Sequence, residues 1–304
     1  VGSEMCIRDR FQALTWEARD VEGEHHISIF GKTEEGKSVC VTTTFDPYFF
    51  VKLPRDTKPA DVTRLFNDIN LLKKDHVTSY SLTKQKDVWG FQNNEEFHYM
   101  HLNFKTLEAR RKVNSIFMYN KEFSKYHVYE SNIDPVLRLM HRTGIQSTGW
   151  INTGTTCVRS HLAKTDIDLW CNDWSTLTPV ARDDIAPFIV ASFDIECNSS
   201  TGKFPDADVT NDACFQIAIS LCKFGSDEPY DKTCLCYKKT DPKIEGSNVI
   251  SFETEKELLL AFKRYTNEND IDILTGWNIF GFDLDYIYKR AAMVGCGLEF
   301  YDLG

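Results

Sequence analysis

One run of residues, Phe188-Ile189-Val190-Ala191-Ser192-Phe193-Asp194-Ile195-Glu196-Cys197, constrains the fold more than any other part of the chain. It reads as a nearly continuous apolar strand of the kind that fills the middle of a sheet. Within it Asp194 and Glu196 stand at i and i+2, so a strand sets both on one face while Phe193 and Ile195 take the other. Two like charges on a buried strand repel and cost desolvation, and a divalent cation offsets both terms. A hydrogen-bonded structural pair is the alternative. D-x-E alone is a weak pattern, because Asp20-Val21-Glu22 also has it in a charged, unpatterned stretch. The apolar setting is what separates the two.

Around this strand the chain divides in two, as its 304 residues favour. Residues 1–10 lack the apolar core and cleavage site of a signal peptide and read as an artefactual or disordered leader. Residues 11–177 alternate short aromatic and β-branched runs with turns, giving mostly strands, with helices at 58–72, 106–118 and 135–142. An α+β domain is expected there. The stretch 178–187, with Pro179 and Pro187 and no periodicity, reads as a linker. Residues 188–304 then give strands at 188–197, 214–223 and 233–237, and a helix opened by the capping box Thr254-Glu255-Lys256-Glu257. A strand at 271–276 and a helix at 282–294 follow. This β-β-β-α-β-α order matches the start of a ribonuclease-H-like α/β fold, and the chain stops soon after, so the domain is expected to be cut short at its C-terminus.

The same order brings the start of the last helix back over the carboxyl end of the 188–197 strand. Gly276-Trp277-Asn278-Ile279-Phe280-Gly281-Phe282-Asp283 therefore carries a third carboxylate toward Asp194 and Glu196. Alone, Asp283 is a helix cap worth about 1 kcal/mol. Three converging carboxylates suit two-metal phosphodiester hydrolysis, in which one cation activates water and the other stabilises the leaving oxygen. Asn278 supplies an amide and Phe282 a stacking face for a single-stranded end.

These two constellations, Phe193-Asp194-Ile195-Glu196-Cys197 and Asn278-Ile279-Phe280-Gly281-Phe282-Asp283, resemble the first and second exonuclease motifs of family B DNA polymerases, above all the delta-type catalytic subunits of eukaryotes and large DNA viruses. Asp46-Pro47-Tyr48-Phe49-Phe50-Val51-Lys52, Tyr129-Glu130-Ser131-Asn132-Ile133, Phe204-Pro205 and Gln216-Ile217-Ala218 extend the likeness over most of the chain. The resemblance implies a 3′-to-5′ proofreading exonuclease in which Asp194, Glu196 and Asp283 are catalytic and hold two Mg²⁺ ions, with Mn²⁺ as a substitute. It implies that Asn278 and Phe282 touch DNA, and that the whole protein is a replicative polymerase. The third exonuclease motif, Tyr-x-x-x-Asp, and the polymerase carboxylates would lie beyond Gly304. Sliding clamp and accessory subunits are the implied partners, in the nucleus for a cellular protein or at a nuclear or cytoplasmic replication site for a viral one. A stand-alone nuclease and a non-catalytic single-strand-binding module are the competing readings.

The remaining features narrow the picture. With 35 Lys+Arg against 45 Asp+Glu the formal charge is −10, so no global cationic field attracts nucleic acid, and contacts must be local. Lys105, Arg110, Arg111, Lys112, Lys121 and Lys125 interleave with Phe104, Phe117, Tyr119, Phe123 and Tyr126, a mix suited to single-stranded DNA. Asp206-Ala207-Asp208-Val209-Thr210-Asn211-Asp212 lacks the Gly and Glu of a calcium loop and reads as solvated. The 10 cysteines include no C-x-x-C and read as free thiols in a reducing compartment. No apolar run is long enough to span a membrane.

Overall fold

A computed structural model of the chain describes residues 10–73, 76–87, 90–154, 156–240, 245–301 and 303. They form two compact units that meet in sequence between Asp184 and Ile185.

The first unit holds two sheets. Strands β1 (Arg10–Val21), β2 (Glu24–Thr33) and β3 (Ser38–Thr44) make an antiparallel meander. Its first turn is Glu22-Gly23, both at positive φ (50° and 86°), the conformation a two-residue hairpin requires. The chain then leaves through β4 (Tyr48–Lys52), α1 (Pro59–Leu72), β5 (Val77–Lys86), β6 (Glu96–Phe104), α2 (Leu107–Tyr119) and β7 (His127–Tyr129). These strands pair in the order β5-β6-β4-β7, and α1 and α2 cover one face with Val62, Leu65, Ile69, Val113 and Ile116. After α3 (Pro135–Thr143), which has the expected Asp134 cap and a left-handed Gly144, the chain rejoins the first sheet. Strands β8 (Trp150–Asn152), β9 (Cys157–Arg159), β10 (Ile167–Cys171) and β11 (Thr178–Val180) complete the order β11-β8-β1-β2-β3-β10-β9.

Three expectations change here. Arg10, assigned to the leader, pairs with Asn152, while residues 1–9 lie outside the described residues. Thr178–Val180, assigned to the linker, is a strand on β8. The basic and aromatic interleaving is only partly available as a surface: Phe104, Phe117 and Phe123 are core, while Tyr119 is exposed. Three of its six cations are engaged, Arg110 donating to Ile133 O at 2.7 Å, Lys105 pairing with Glu24 and Lys112 with Glu108, while Arg111, Lys121 and Lys125 are exposed.

The second unit runs β12 (Ile189–Cys197), β13 (Cys214–Lys223), β14 (Asp231–Tyr237), β15 (Asn248–Phe252), α4 (Glu255–Glu268), β16 (Ile273–Thr275), α5 (Asp283–Met293) and α6 (Gly297–Phe300). Its sheet order is β15-β14-β13-β12-β16, with β16 parallel to β12 and β15 parallel to β14. The sequence reading missed β15, a five-residue, largely exposed edge strand without alternation. It also placed 188–197 at the centre of the sheet, with its carboxylates in a buried apolar setting. In fact β12 lies one strand from the edge and alternates, with Ala191, Phe193 and Ile195 buried and Ser192, Asp194 and Glu196 exposed. Helices α4 and α5 cover only the apolar face, setting Leu258, Leu259, Phe262, Tyr286, Ile287 and Ala291 against Phe193, Ile195, Ile217 and Ile219.

A buried ion pair joins these elements. Arg290, 1% exposed, donates from Nε to Glu255 Oε1 at 2.7 Å and from Nη2 to Oε2 at 2.5 Å. Glu255 Oε1 also accepts the Cys214 N–H at 2.9 Å, which fixes the start of β13. The α4 capping box forms as expected, with Thr254 Oγ1 accepting from Glu257 N and Glu257 Oε2 from Thr254 N. All nine described cysteines are free, and no helix among the described residues is long and apolar enough to cross a membrane. Truncating Arg290→Ala strands a buried carboxylate and should cost ~3–5 kcal/mol in urea unfolding, against about 1 kcal/mol for Thr254→Ala. Equal, small losses for both would contradict this reading of the core.

Candidate active site

Strand β12 carries two of the three expected carboxylates on its open face. Opposite them the β13 register sets Ala218 against Asp194 and Gln216 against Glu196, so no like charge and no bulky side chain fills the space beside them. Contrary to the burial expected from the sequence, both carboxylates are exposed. They are two neighbouring acids on a solvent-facing surface, held by a strand whose other face is core.

The third carboxylate arrives along the strand edge. Pairing between β12 and β16 ends at Ser192, which leaves the following stretch of β12 without a ladder partner on that side. The chain leaving β16 crosses this edge at Gly276, where a Cβ would fall 2.4 Å from Phe193 O, so only glycine fits. Asn278 then adopts a left-handed φ of 55°, a region asparagine tolerates better than most residues. Its carbonyl accepts Gly281 N–H and Phe282 N–H at 2.8 and 3.1 Å, closing a tight turn. The Asn278 amide lies where a Cβ on Gly281 would sit, 2.3 Å from Oδ1. This turn delivers Asp283 at the first position of α5, and its Oδ1 accepts the Ile195 N–H at 3.3 Å, between Asp194 and Glu196 in sequence.

Asp283 is 3% exposed. Burial pushes its carboxyl pKa up and the nearby Asp194 charge adds to this, against the hydrogen bonds from its own N–H and from Ile195. The donor chemistry fits a hard divalent cation, which takes carboxylate oxygens. Among the described residues, however, no three His, Cys, Asp or Glu side chains close into a metal-binding group. The fit is thus one of donor type and of Asp283 lying close enough to feel Asp194, and not of a closed ligand cage.

Phe282 and Asn278 fall beside this edge with different characters. Phe282 is half-buried, its ring 4.9 Å from Phe204 and 5.0 Å from Tyr286, while Asn278 is exposed. Sequence reasoning passed over three aromatics that the fold leaves in solvent: Trp277 at 91%, Phe280 at 86% and Phe204 at 75% exposure. The available signal was their place in polar or Gly-containing turns, where a large apolar side chain has no core to enter. The loop 206–212, read as solvated, is instead pinned. Asp212 is buried and accepts Ser200 N–H, Ser200 Oγ–H and Asp206 N–H, while Arg290 donates to Ala207 O and Val209 O.

Comparison with known proteins places this arrangement. Residues 126–303 match the family model described as DNA polymerase family B, exonuclease domain, so the class defined here is an exonuclease domain, and the match reaches back into the first unit. A DNA polymerase of Paramecium bursaria Chlorella virus NY2A is 33% identical over 93% of this chain and 31% of its own length. One from Acanthamoeba polyphaga mimivirus is 31% identical over 92% of the chain and 18% of its own length. The DNA polymerase delta catalytic subunit of Arabidopsis thaliana is 29% identical, covering 88% and 26% respectively. The family B DNA polymerase from the archaeon Pyrobaculum calidifontis shares the fold at a TM-score of 0.67 and 21% identity, over 94% of this chain and 32% of that one. The chain belongs to family B of the DNA polymerases, and it spans less than a third of the length of these curated relatives.

A raised native pKa for Asp283 has a definite sign in stability. The native state keeps the proton where the unfolded chain releases it, so this group's contribution is full at low pH and is lost as pH rises through the native value. In metal-free protein, Asp283→Asn should therefore raise the melting temperature at neutral pH, and the gain should vanish as pH falls to the ordinary aspartate range. A gain that is constant with pH, or a loss at neutral pH, would show that the Asp283 charge is not under strain.

Proposed function

We infer that the second unit is a ribonuclease-H-like 3′-to-5′ exonuclease that proofreads for a replicative DNA polymerase of which this chain is part. The observation that carries the reading is the Asp283 carboxylate seated on the Ile195 N–H, between Asp194 and Glu196. Two exposed acids on a strand bind nothing in particular. A third acid, buried and raised in pKa, brought to the same strand edge by a glycine that nothing else can replace, completes a set of hard donors on one strand edge.

In this reading Asp194, Glu196 and Asp283 would hold Mg²⁺, or Mn²⁺ in its place, and a bound cation pair would supply an activated water and a charge sink for the leaving oxygen. The chain's own residues do the rest. Burial and the Asp194 charge disfavour the ionised Asp283 carboxylate, and the Ile195 N–H it accepts partly compensates, as a bound cation would further. Exposed Trp277, Phe280 and Phe204, with Phe282 behind them, offer flat faces on which the bases of a single-stranded 3′ end stack irrespective of sequence. The Asn278 amide, fixed by its left-handed turn, donates to the strand backbone or a base edge. Through the whole polymerase, the partners are primer and template DNA, with a sliding clamp and accessory subunits, at a nuclear or viral replication site.

In the polymerase containing this chain, the double substitution Asp194→Ala, Glu196→Ala should lower Mg²⁺-dependent release of 3′ nucleotides from a labelled single strand at least ~10²-fold while leaving primer extension largely intact. Undiminished trimming would refute the assignment. Joint loss of trimming and extension would show that these carboxylates serve the fold and not a separate hydrolytic site.

A further inference from the structure

The polar face of the seven-stranded sheet in the first unit carries a cavity of about 360 Å³ that the exonuclease reading does not use. The core face of this sheet is filled by Ile29, Val39, Val41 and Leu169. Their strand neighbours point the other way, and there the lining is not that of an ordinary solvated sheet. Ser28 Oγ and Thr42 Oγ1 are hydrogen-bonded at 2.9 Å and buried, with Cys40 Sγ 3.7 Å from Thr42 Oγ1. His26 and Trp170 meet edge to face at 5.0 Å and form an aromatic corner. Arg19, the register partner of His26, and Arg159 bring exposed cations to the lining, which also holds the exposed Glu22 carboxylate.

The remaining wall is a loop that is held in place. Asp168 on β10 accepts Leu162 N–H and Ala163 N–H through Oδ2, at 2.5 and 2.9 Å, and its carbonyl accepts Ser160 N–H at 2.8 Å. Leu162, Ala163 and Ser160 all line the cavity. Asp168 itself is 8% exposed, and its second oxygen, Oδ1, is buried with no hydrogen-bond partner. Asp168 is not itself a lining residue, so its part is to hold this loop against the sheet.

We propose that this cavity binds a single nucleotide, its base against Trp170 and His26 and its phosphate at Arg19. The volume lies in the range of small-ligand sites, ~300–1,000 Å³. The chemistry divides as a nucleotide does. An aromatic corner offers the ring a stacking surface, paired hydroxyls can donate or accept toward base or sugar, and an arginine recognises an anion. Neither a peptide nor a lipid chain needs a cation, a hydroxyl pair and an aromatic wall in one small space. The site stands apart from Asp194, Glu196 and Asp283, and it holds whether or not those residues catalyse.

The ligand's source is either a free mononucleotide or one unit of a single strand, and one experiment distinguishes them. The chain as it stands is titrated in EDTA with each of the four deoxynucleoside 5′-monophosphates and with a ten-nucleotide single strand, following tryptophan fluorescence and heat of binding. The proposal expects saturable binding of at least one mononucleotide, about tenfold weaker in Arg19→Ala, as loss of one charge-assisted contact implies. With Trp277→Phe as the background, so that only the cavity's tryptophan reports, the fluorescence change should disappear on adding Trp170→Phe while binding persists. Competition by the oligonucleotide assigns the site to a strand, and its failure to compete assigns it to the free nucleotide. Arg19 is exposed, so its substitution leaves the fold intact, as a melting curve will confirm. Absence of saturable mononucleotide binding at millimolar concentration, or binding unchanged by both Arg19→Ala and Trp170→Phe, overturns the proposal.

Discussion

Arg290 has five guanidinium N–H donors and meets five oxygens in a nearly solvent-free site: both carboxylate oxygens of Glu255 and the carbonyls of Ala207, Val209 and Thr210. Everything the second unit does with its carboxylates depends on this contact. Arg290 lies on α5, the helix that Asp283 opens, and the carbonyls belong to the loop that returns from β12 to β13. Glu255 opens α4 and holds the first N–H of β13. One side chain thus ties together both helices, the strand after the acidic pair and the loop between them. Its hydrogen bonds to Glu255 hold the Arg290 pKa above its ordinary value despite burial. A buried pair of this kind adds little net stability over an apolar replacement, because desolvation consumes most of the attraction. What it fixes is position, since five directed bonds admit one placement of α5 against the loop where helix packing alone admits a range.

The second constraint is the free edge of β12. A strand edge exposes N–H groups that attract another strand, and the usual remedies are cover or charge. Here the edge is covered by the turn 276–282, whose closest approach depends on Gly276, and the Ile195 N–H is satisfied by Asp283. In the proposed exonuclease, the carboxylate that caps the edge would also share a cation with Asp194. Fold and site use the same bond. In the absence of a cation this leaves a buried acid beside another negative charge, which raises the energy of the ionised state and makes the site receptive to one.

Much of this was legible in the amino-acid order. Asp134-Pro135 with Gly144, and Thr254 with Glu257, marked helix ends because caps are local and need no tertiary partner. The i, i+2 spacing fixed Asp194 and Glu196 on a common face because strand geometry does so regardless of context. What failed was burial. The run at 188–197 looks apolar throughout, yet Ser192, Asp194 and Glu196 face out, since the sheet has helices on one side only. Of the aromatics near Lys105 to Lys125 that looked like a binding surface, Phe104, Phe117 and Phe123 are core, because composition cannot say which side of a helix meets a sheet. Arg290, Glu255 and Asp212 were invisible as a set: each is an ordinary polar residue in its own segment, and only long-range packing brings them together. The edge strand β15 carried no alternation for a period-2 reading to find.

The account rests on one claim, that Asp194, Glu196 and Asp283 form a common divalent-cation site at the edge of β12. Substoichiometric Mn²⁺ added to ¹⁵N-labelled, deuterated protein tests it most directly, because the paramagnetic ion broadens amides close to where it binds. The expected result is selective loss of the Asp194, Ile195, Glu196 and Asp283 amide signals, reversed by excess Mg²⁺ and abolished in Asp283→Asn. Broadening that spares Ile195 and Asp283, or that persists unchanged in Asp283→Asn, would mean that the third carboxylate only caps a helix and a strand edge.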